Sequence, residues 1–549
     1  MRRRAVIVVV LITVAGIALW LFPRPPHGVT DPTALLPSDT VALLQWRDLA
    51  ATTRRLHASP LGRYLTTINW QEQLDDQGAD LATTIDHFLQ GLEQVVTSPL
   101  LPELFGQDSA LALLSPSAAD RQLAASARLE KNLLLLTRPR TRAALLQSLA
   151  PLLAHDLEVS EEHSDGVTLR RYSRQGETLC HTAVVDGWLL LSRHPDTLLR
   201  CSRRPAADHS LSSRNDFQTG MPALGEGWNM RGHADIPRLW QDVLNNAAPL
   251  PLRHLSLASF RQPGHRRLLL RLERDIPEGT RTGPGSPWER PATDNRTLTR
   301  VPGELLAYAW CSWLSPALWE MWFTSSAGEA FTQLIDDRNR TPAVRTAPPW
   351  SRILGEQVAL LVTDLPVSAV LPVPQMGFLV EVRDRRGLEQ RLAPILRDVP
   401  VQRENIAGVE VQVFHLAGGL VQPAYALHDN FLLLADSRGQ MEEILNHTQT
   451  SPLADQPDFR AVLPAGEKSG SLALFLRLNS LHASLQRLLP QVSAILALQE
   501  DPAARRWARR INTVIVPLLN TLTPYRAQGL RGHGENGFFT LETSLLIDE

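Results

Sequence analysis

The longest uninterrupted apolar run in the chain is at its start. After MRRR, residues Ala5 to Phe22 carry no charge. As a helix rising about 1.5 Å per residue, that run spans roughly 27 Å, close to the hydrocarbon thickness of a bilayer. Arg2, Arg3 and Arg4 place residues 1–4 as a cytoplasmic tip and send the remainder outward. The run leads straight into FPRPPHG, which lacks a small-x-small cleavage site, so it reads as an uncleaved anchor at 5–22 rather than a signal peptide. No later stretch is long and apolar enough to span again.

Past a short linker (23–35), the hydrophobic pattern runs through the same signals twice. A proline-led strand entry occurs as LPSDTVALLQW from Leu36 and as VPGELLAYAW from Val301. SPLGRYL (Ser59 to Leu65) answers SSAGEAF (Ser325 to Phe331), and LFGQDSALALL from Leu104 answers ILGEQVALLVT from Ile353. Leu145, Leu149, Leu152 and Leu153, with Pro151, share one helical stripe; Leu388, Leu392, Ile395 and Leu396, with Pro394, repeat it. AVVDGWLLLS (Ala183 to Ser192) and ALHDNFLLLA (Ala426 to Ala435) are matching hairpins, with turns at Asp186–Gly187 and Asp429–Asn430. Their unbroken apolar runs predict strands covered on both faces. Asp216–Phe217 and Asp458–Phe459 recur before Pro222 and Pro464, and each half closes on a hairpin, turning at Pro263–Gly264 and near Asn536–Gly537.

Between the halves, Ile276 to Thr297 is rich in Pro, Gly and Thr and has no apolar period, which marks a linker bounded at 276–300. The predicted fold is α+β: one transmembrane helix, then two tandem, internally duplicated modules of antiparallel sheet with packed helices, at 36–275 and 301–549. The second module carries a helical insertion near 489–522.

Composition narrows the chemistry. A net charge of −2 gives no general attraction to nucleic acid, and basic charge is almost all arginine, with Lys131 and Lys468 the two lysines. Cys180, Cys201 and Cys311 are too few for a disulfide framework; a Cys180–Cys201 bond is one reading and three buried thiols the favoured one. Gly532, Gly534 and Gly537 form a G-x-G-x-x-G, but a strand rather than a helix follows, so it reads as a hairpin turn. His155 and His163 flank Glu161 and Glu162 among small polar residues, which reads as a solvated turn rather than a metal site. No catalytic residue, cofactor site or metal site is predicted.

Leu36, Pro37, Asp39 and Thr40, together with SPLG (Ser59 to Gly62), give the chain a resemblance to a group of bacterial envelope proteins known as a domain of unknown function. The resemblance implies a fold and an inner-membrane, periplasm-facing location, and no active site. The second half departs from it, with Gly303 and Glu304 in place of Ser38 and Asp39.

Two aromatic segments remain as candidates. Trp319, Trp322 and Phe323 share a face of one predicted helix. Trp507, Ile511, Val514, Ile515 and Leu518 form a stripe on another, with Arg505, Arg506, Arg509 and Arg510 crowding its start. Such a basic amphipathic helix suits either its own domain or an interface of anionic headgroups. The sequence therefore predicts a non-enzymatic, anchored binding or scaffolding protein with an envelope protein partner. The rivals are a carrier or sensor of an apolar ligand such as lipid, and an envelope-polymer hydrolase.

Overall fold

The computed structural model describes residues 31–548 other than 74–78, 141–142, 144–157, 165, 203–205, 247, 249, 276–291, 315–317, 320–347, 366–373, 397–399, 417–421 and 464–469. The anchor at 5–22, the Leu145 helix, Trp322 and Phe323 lie outside the described residues. Among those described, no helix is long and apolar enough to cross a membrane. The chain divides into two compact units, 1–259 and 260–549, each an antiparallel sheet with helices.

The strands of the first unit are β1 (Ala42–Arg47), β2 (Asp108–Leu113), β3 (Leu133–Thr137), β4 (Glu158–Ser164), β5 (Val167–Arg174), β6 (Glu177–Val185), β7 (Trp188–Ser192), β8 (Met230–Asp235) and β9 (Leu252–Gln262). They lie in the order β4-β5-β6-β7-β3-β2-β1-β8-β9, every pair antiparallel. The second unit contains β10 (His265–Arg274), β11 (Ala307–Cys311), β12 (Leu354–Val362), β13 (Met376–Val382), β14 (Val401–Ile406), β15 (Val409–Phe414), β16 (Ala424–His428), β17 (Phe431–Ala435), β18 (Leu472–Arg477), β19 (Tyr525–Glu535) and β20 (Phe538–Ile547). Their order is β14-β15-β16-β17-β13-β12-β11-β18-β19-β20-β10. From β14 to β19 the first unit's order recurs strand for strand. β10, read from sequence as the end of the first module, borders β20 in register from His265↔Leu546 to Glu273↔Phe538.

The recurrence extends to single hydrogen bonds. Leu211 N donates to Leu36 O at 2.8 Å, and Leu453 N to Val301 O at 2.9 Å. The prolines of the two strand entries form isolated bridges, Pro37 to Ser210 and Pro302 to Pro452. Asp235 N donates to Val41 O at 2.8 Å, and Arg477 N to Leu306 O at 2.9 Å. Each unit opens earlier than the apolar pattern suggested, on a polar cap that hydropathy cannot register. Thr33 N and Oγ donate to Asp31 Oδ1, and Thr297 N and Oγ donate to Asn295 Oδ1, with both threonines buried. Residues 31–35 and 292–300 are thus structured parts of their units rather than linker.

Packing follows the sequence logic where strands are central. Trp188 and Leu190 on β7, and Phe431 and Leu433 on β17, are buried behind turns whose Asp186–Gly187 and Asp429–Asn430 all adopt positive φ. The second unit's main core gathers Tyr308, Trp310, Leu361, Val411, Phe459 and Phe475. Two readings need correction. Glu161, Glu162 and His163 lie on β4, an exposed strand paired on one side, where Arg170 faces Glu161 at 2.6 Å; they are not a turn. The helical insertion begins at Leu478, directly after β18, because Arg477 closes the strand and an unbroken helix follows to Ala497. All three cysteines are free thiols, and burial pushes that of Cys201 up to about 12.

Phe475 is wholly buried and meets Phe459 edge to face at 5.4 Å. Phe475→Ala should lower the stability of the second unit by about 3–5 kcal/mol, read from the midpoint of urea unfolding.

Candidate functional site

The first unit buries a polar cluster where the second is apolar. Helix α1 (Asn215–Gly220) carries Asp216 and Phe217 to the sheet, just as α2 (Pro457–Val462) carries Asp458 and Phe459. Asp216 Oδ2 accepts from His233 Nε2 at 2.9 Å, and His254 Nε2 lies 3.1 Å from the same oxygen. Arg214 grips the same carboxylate through Nε at 3.0 Å and through Nη2, and donates to the carbonyls of Ser38 (3.2 Å) and Thr40 (2.7 Å). His233 Nδ1 lies 3.0 Å from Ser256 Oγ, and the two imidazoles stack with centroids 5.5 Å apart. Despite desolvation, which by itself would raise it, the hydrogen bonds from His233 and Arg214 hold the Asp216 carboxyl far below the usual carboxylate range.

Ser256, His233 and Asp216 give the hydroxyl–imidazole–carboxylate order of a nucleophilic triad. The geometry denies that role. Ser256 is 3% exposed and His233 4%, and a Cβ on Gly220 would stand 2.7 Å from Ser256 Oγ. A hydroxyl sealed in this way meets no substrate, so the cluster is a positioning device. What it positions is α1, whose Phe217 packs edge to face on His233 at 5.5 Å. Among the described residues no group of three His, Cys, Asp or Glu is arranged to hold a metal ion.

Sheet register identifies the corresponding positions in the second unit. His233 faces Ser256, and Phe475 faces Gly529; Asp235 faces His254, and Arg477 faces Ala527. The polar set His233, His254 and Ser256 therefore has Phe475, Ala527 and Gly529 as its counterparts. The edge-to-face contact survives the exchange, as Phe217 on His233 in one unit and Phe459 on Phe475 in the other.

Phe217 also lines a hollow of about 680 Å³, with Met221, Pro222, Glu226, Trp228, Arg47 and Arg231 around it. Next to it lies a smaller hollow of about 270 Å³ that shares Asp31, Arg47, Trp228 and Arg231 and adds Asp108, whose carboxyl burial raises. The guanidiniums of Arg47 and Arg231 lie over the Trp228 ring, 4.2 and 4.4 Å from its centroid. A comparable hollow in the second unit, below the helix Arg385–Leu396, is rimmed by charges that pair among themselves, Arg385 with Glu389 and Arg403 with Glu410.

The residues picked out by sequence lie in the second unit, in two separate settings. Trp319 packs half-buried against Ile353, Leu354 and Leu388, and its Nε1 donates to Gly355 O at 2.9 Å, so it faces the domain interior. Helix α3 (Leu478–Ala497) and helix α4 (Pro502–Arg510) form a hairpin. Its seam is made of small residues: Ala504 and Ala508 are buried with Ile511, and Ser493 Oγ donates to Ala508 O at 2.9 Å. That seam turns Trp507 outward, 53% exposed, rather than onto one face with Ile511 as the sequence stripe implied. A π-helical turn at Ile511–Ile515 then rotates the residues that follow. Ile495 (53% exposed) and Leu498 (86%) are also open at this end. Arg505, Arg506 and Arg509 are exposed and, among the described residues, none of them pairs with a carboxylate; the Arg510 guanidinium lies 5.6 Å from the Trp507 ring centroid.

No family model and no curated protein matches the chain. Among solved structures it is similar to crystal forms III, IV and I of TP0453, each at TM-score 0.24, with identities of 10, 10 and 11%. These matches cover 47, 45 and 46% of this chain and 84, 81 and 82% of TP0453.

Sequence reading passed over the cleft and the buried cluster. The available signal was the contrast between RGHAD and HLSLAS in one half and LALFLR and RAQGL in the other.

The cluster gives the first unit an acid-sensitive element. Both folded and unfolded Asp216 are ionised above about pH 5, where the full stabilisation is present. Below that, the unfolded chain takes up its proton first, so stability falls as pH falls. Asp216→Asn should cost about 3 kcal/mol at pH 7, and the gap to wild type in urea midpoint should narrow as pH drops from 4 to about 3.

Proposed function

We propose that this is a non-enzymatic binding protein of the bacterial envelope, anchored by residues 5–22 and built from two copies of one α+β module after the anchor. On this reading the α3–α4 hairpin rests the second unit on the anionic surface of the membrane. One observation carries the proposal. Three large apolar side chains, Ile495, Leu498 and Trp507, stand open at the end of a hairpin whose flank carries Arg505, Arg506 and Arg509 without carboxylate partners among the described residues. Open hydrocarbon is costly in water, and beside exposed guanidiniums it suits a headgroup region, where indole and aliphatic groups enter the acyl boundary and guanidiniums meet phosphate.

An envelope protein partner fits the same address, since an anchored pair of modules can hold a second protein beside the bilayer. The carrier reading has less support, because Trp319 packs into its own unit. The hydrolase reading has least, because the triad-like chain is closed to solvent.

Flotation with vesicles tests the membrane contact on a chain lacking its first 26 residues, so that the anchor cannot contribute. Vesicles rich in phosphatidylglycerol should carry the protein and pure phosphatidylcholine should not, with binding lost in high salt. At about 1 kcal/mol per arginine, the triple substitution R505Q/R506Q/R509Q should weaken binding by roughly 100-fold. Equal flotation of wild type and triple variant would remove the hairpin from the account.

A further inference from the structure

The cleft around Trp228 in the first unit answers to a different chemistry. Its parts come from β1, β8 and the loop between Gly225 and Gly227, both at positive φ, which brings Trp228 up to the end of the two strands. Arg47 N donates to Asn229 O at 2.9 Å, which fixes the strand end beneath the indole. In the second unit Ser312 N donates to Ser471 O in the same way, so Arg47 corresponds to Ser312 and Trp228 to Gly470. By ladder register Arg231, opposite Gln45, corresponds to Ala473, opposite Trp310. The module folds with Ser, Gly and Ala at these places. Two arginines over an indole are therefore an addition that the fold itself does not require.

The two arginines are not equivalent. Arg231 donates to Asp31 at 3.0 Å and to Gln45, so its charge and its donors are engaged. Arg47 stands opposite Asp108 in the β1–β2 ladder, where its charge opposes the upward push of burial on that carboxyl; its guanidinium lies over Trp228, and among the described residues it forms no close ion pair. A guanidinium over an aromatic face can still direct N–H donors toward a planar or tetrahedral anion. Beyond it the hollow is floored by Phe217, Met221 and Pro222, and its volume of about 680 Å³ is that of a small-molecule site. Glu226 lies on the same rim, which disfavours a ligand with several negative groups.

We propose that the Trp228 cleft binds an amphipathic ligand with one anionic head, a phosphate or carboxylate on Arg47, and an apolar body along Phe217, Met221 and Pro222. The buried cluster around Asp216 holds that wall in place through α1. The site is independent of the α3–α4 hairpin and stands or falls separately from the membrane contact.

The test is calorimetric titration of the full chain in zwitterionic nanodiscs, against empty nanodiscs, with octyl phosphate and with phenyl phosphate as probes. At least one probe should bind. Arg47→Gln should weaken that binding about tenfold or more, Arg47→Lys should retain most of it, and Glu226→Gln, on the rim, should tighten it. Binding of octyl phosphate alone identifies a lipid-like source for the ligand, and of phenyl phosphate alone a soluble aromatic one; binding of both shows that the head dominates recognition. Failure of both probes to bind overturns the proposal, as does unchanged affinity in Arg47→Gln.

Discussion

Each unit depends on one interior strand that follows its polar cap, β1 in the first and β11 in the second. β1 is hydrogen-bonded to β2 on one side and to β8 on the other, and β11 is held in the same way between β12 and β18. Ala42 pairs with both Leu113 and Ala234, so the sheet is complete only when a distant part of the chain has returned. Closing such loops costs entropy before the ladder repays it, which makes folding non-local and slow. The strand entries are built to capture the return: a polar cap, a proline bridge and one backbone hydrogen bond from a later turn recur in both units. The segments between central strands lie outside this constraint. That freedom accounts for the α3–α4 hairpin, inserted between β18 and β19 of the second unit.

Two units with one strand order also provide an internal comparison of what the scaffold needs. At three facing positions one copy has His233, His254 and Ser256 and the other Phe475, Ala527 and Gly529. Apolar packing serves the fold there, and a buried polar network of the same extent gains little over it once desolvation is counted. The polar version is more exacting, because Asp216, on α1, meets both imidazoles and Arg214 at once. Precision in one wall of the cleft is the consequence that distinguishes the first unit.

Much of the scaffold was legible in the hydrophobic pattern. The hairpins at Asp186–Gly187 and Asp429–Asn430 announce themselves through turn residues between apolar runs, and the buried β7 and β17 through unbroken ones. The caps at Asp31 and Asn295 were not legible, since short polar segments carry no hydrophobic period. Trp507 was placed on the right helix but on the wrong side of its seam, because alanines form a packed interface that a stripe of large residues conceals. Arg47, Trp228 and Arg231 are far apart in sequence and meet only through strand register. The Asp216 cluster is assembled in the same way from a helix and two strands, and Asp-Phe, its one repeated motif, is common to the polar and the apolar copy.

The proposed membrane contact rests on the α3–α4 hairpin of the second unit. Hydrogen–deuterium exchange of the full chain in anionic and in zwitterionic nanodiscs reads it directly. Anionic lipid should slow exchange across 494–510 relative to zwitterionic lipid. Identical exchange across 494–510 in the two lipids would contradict the account.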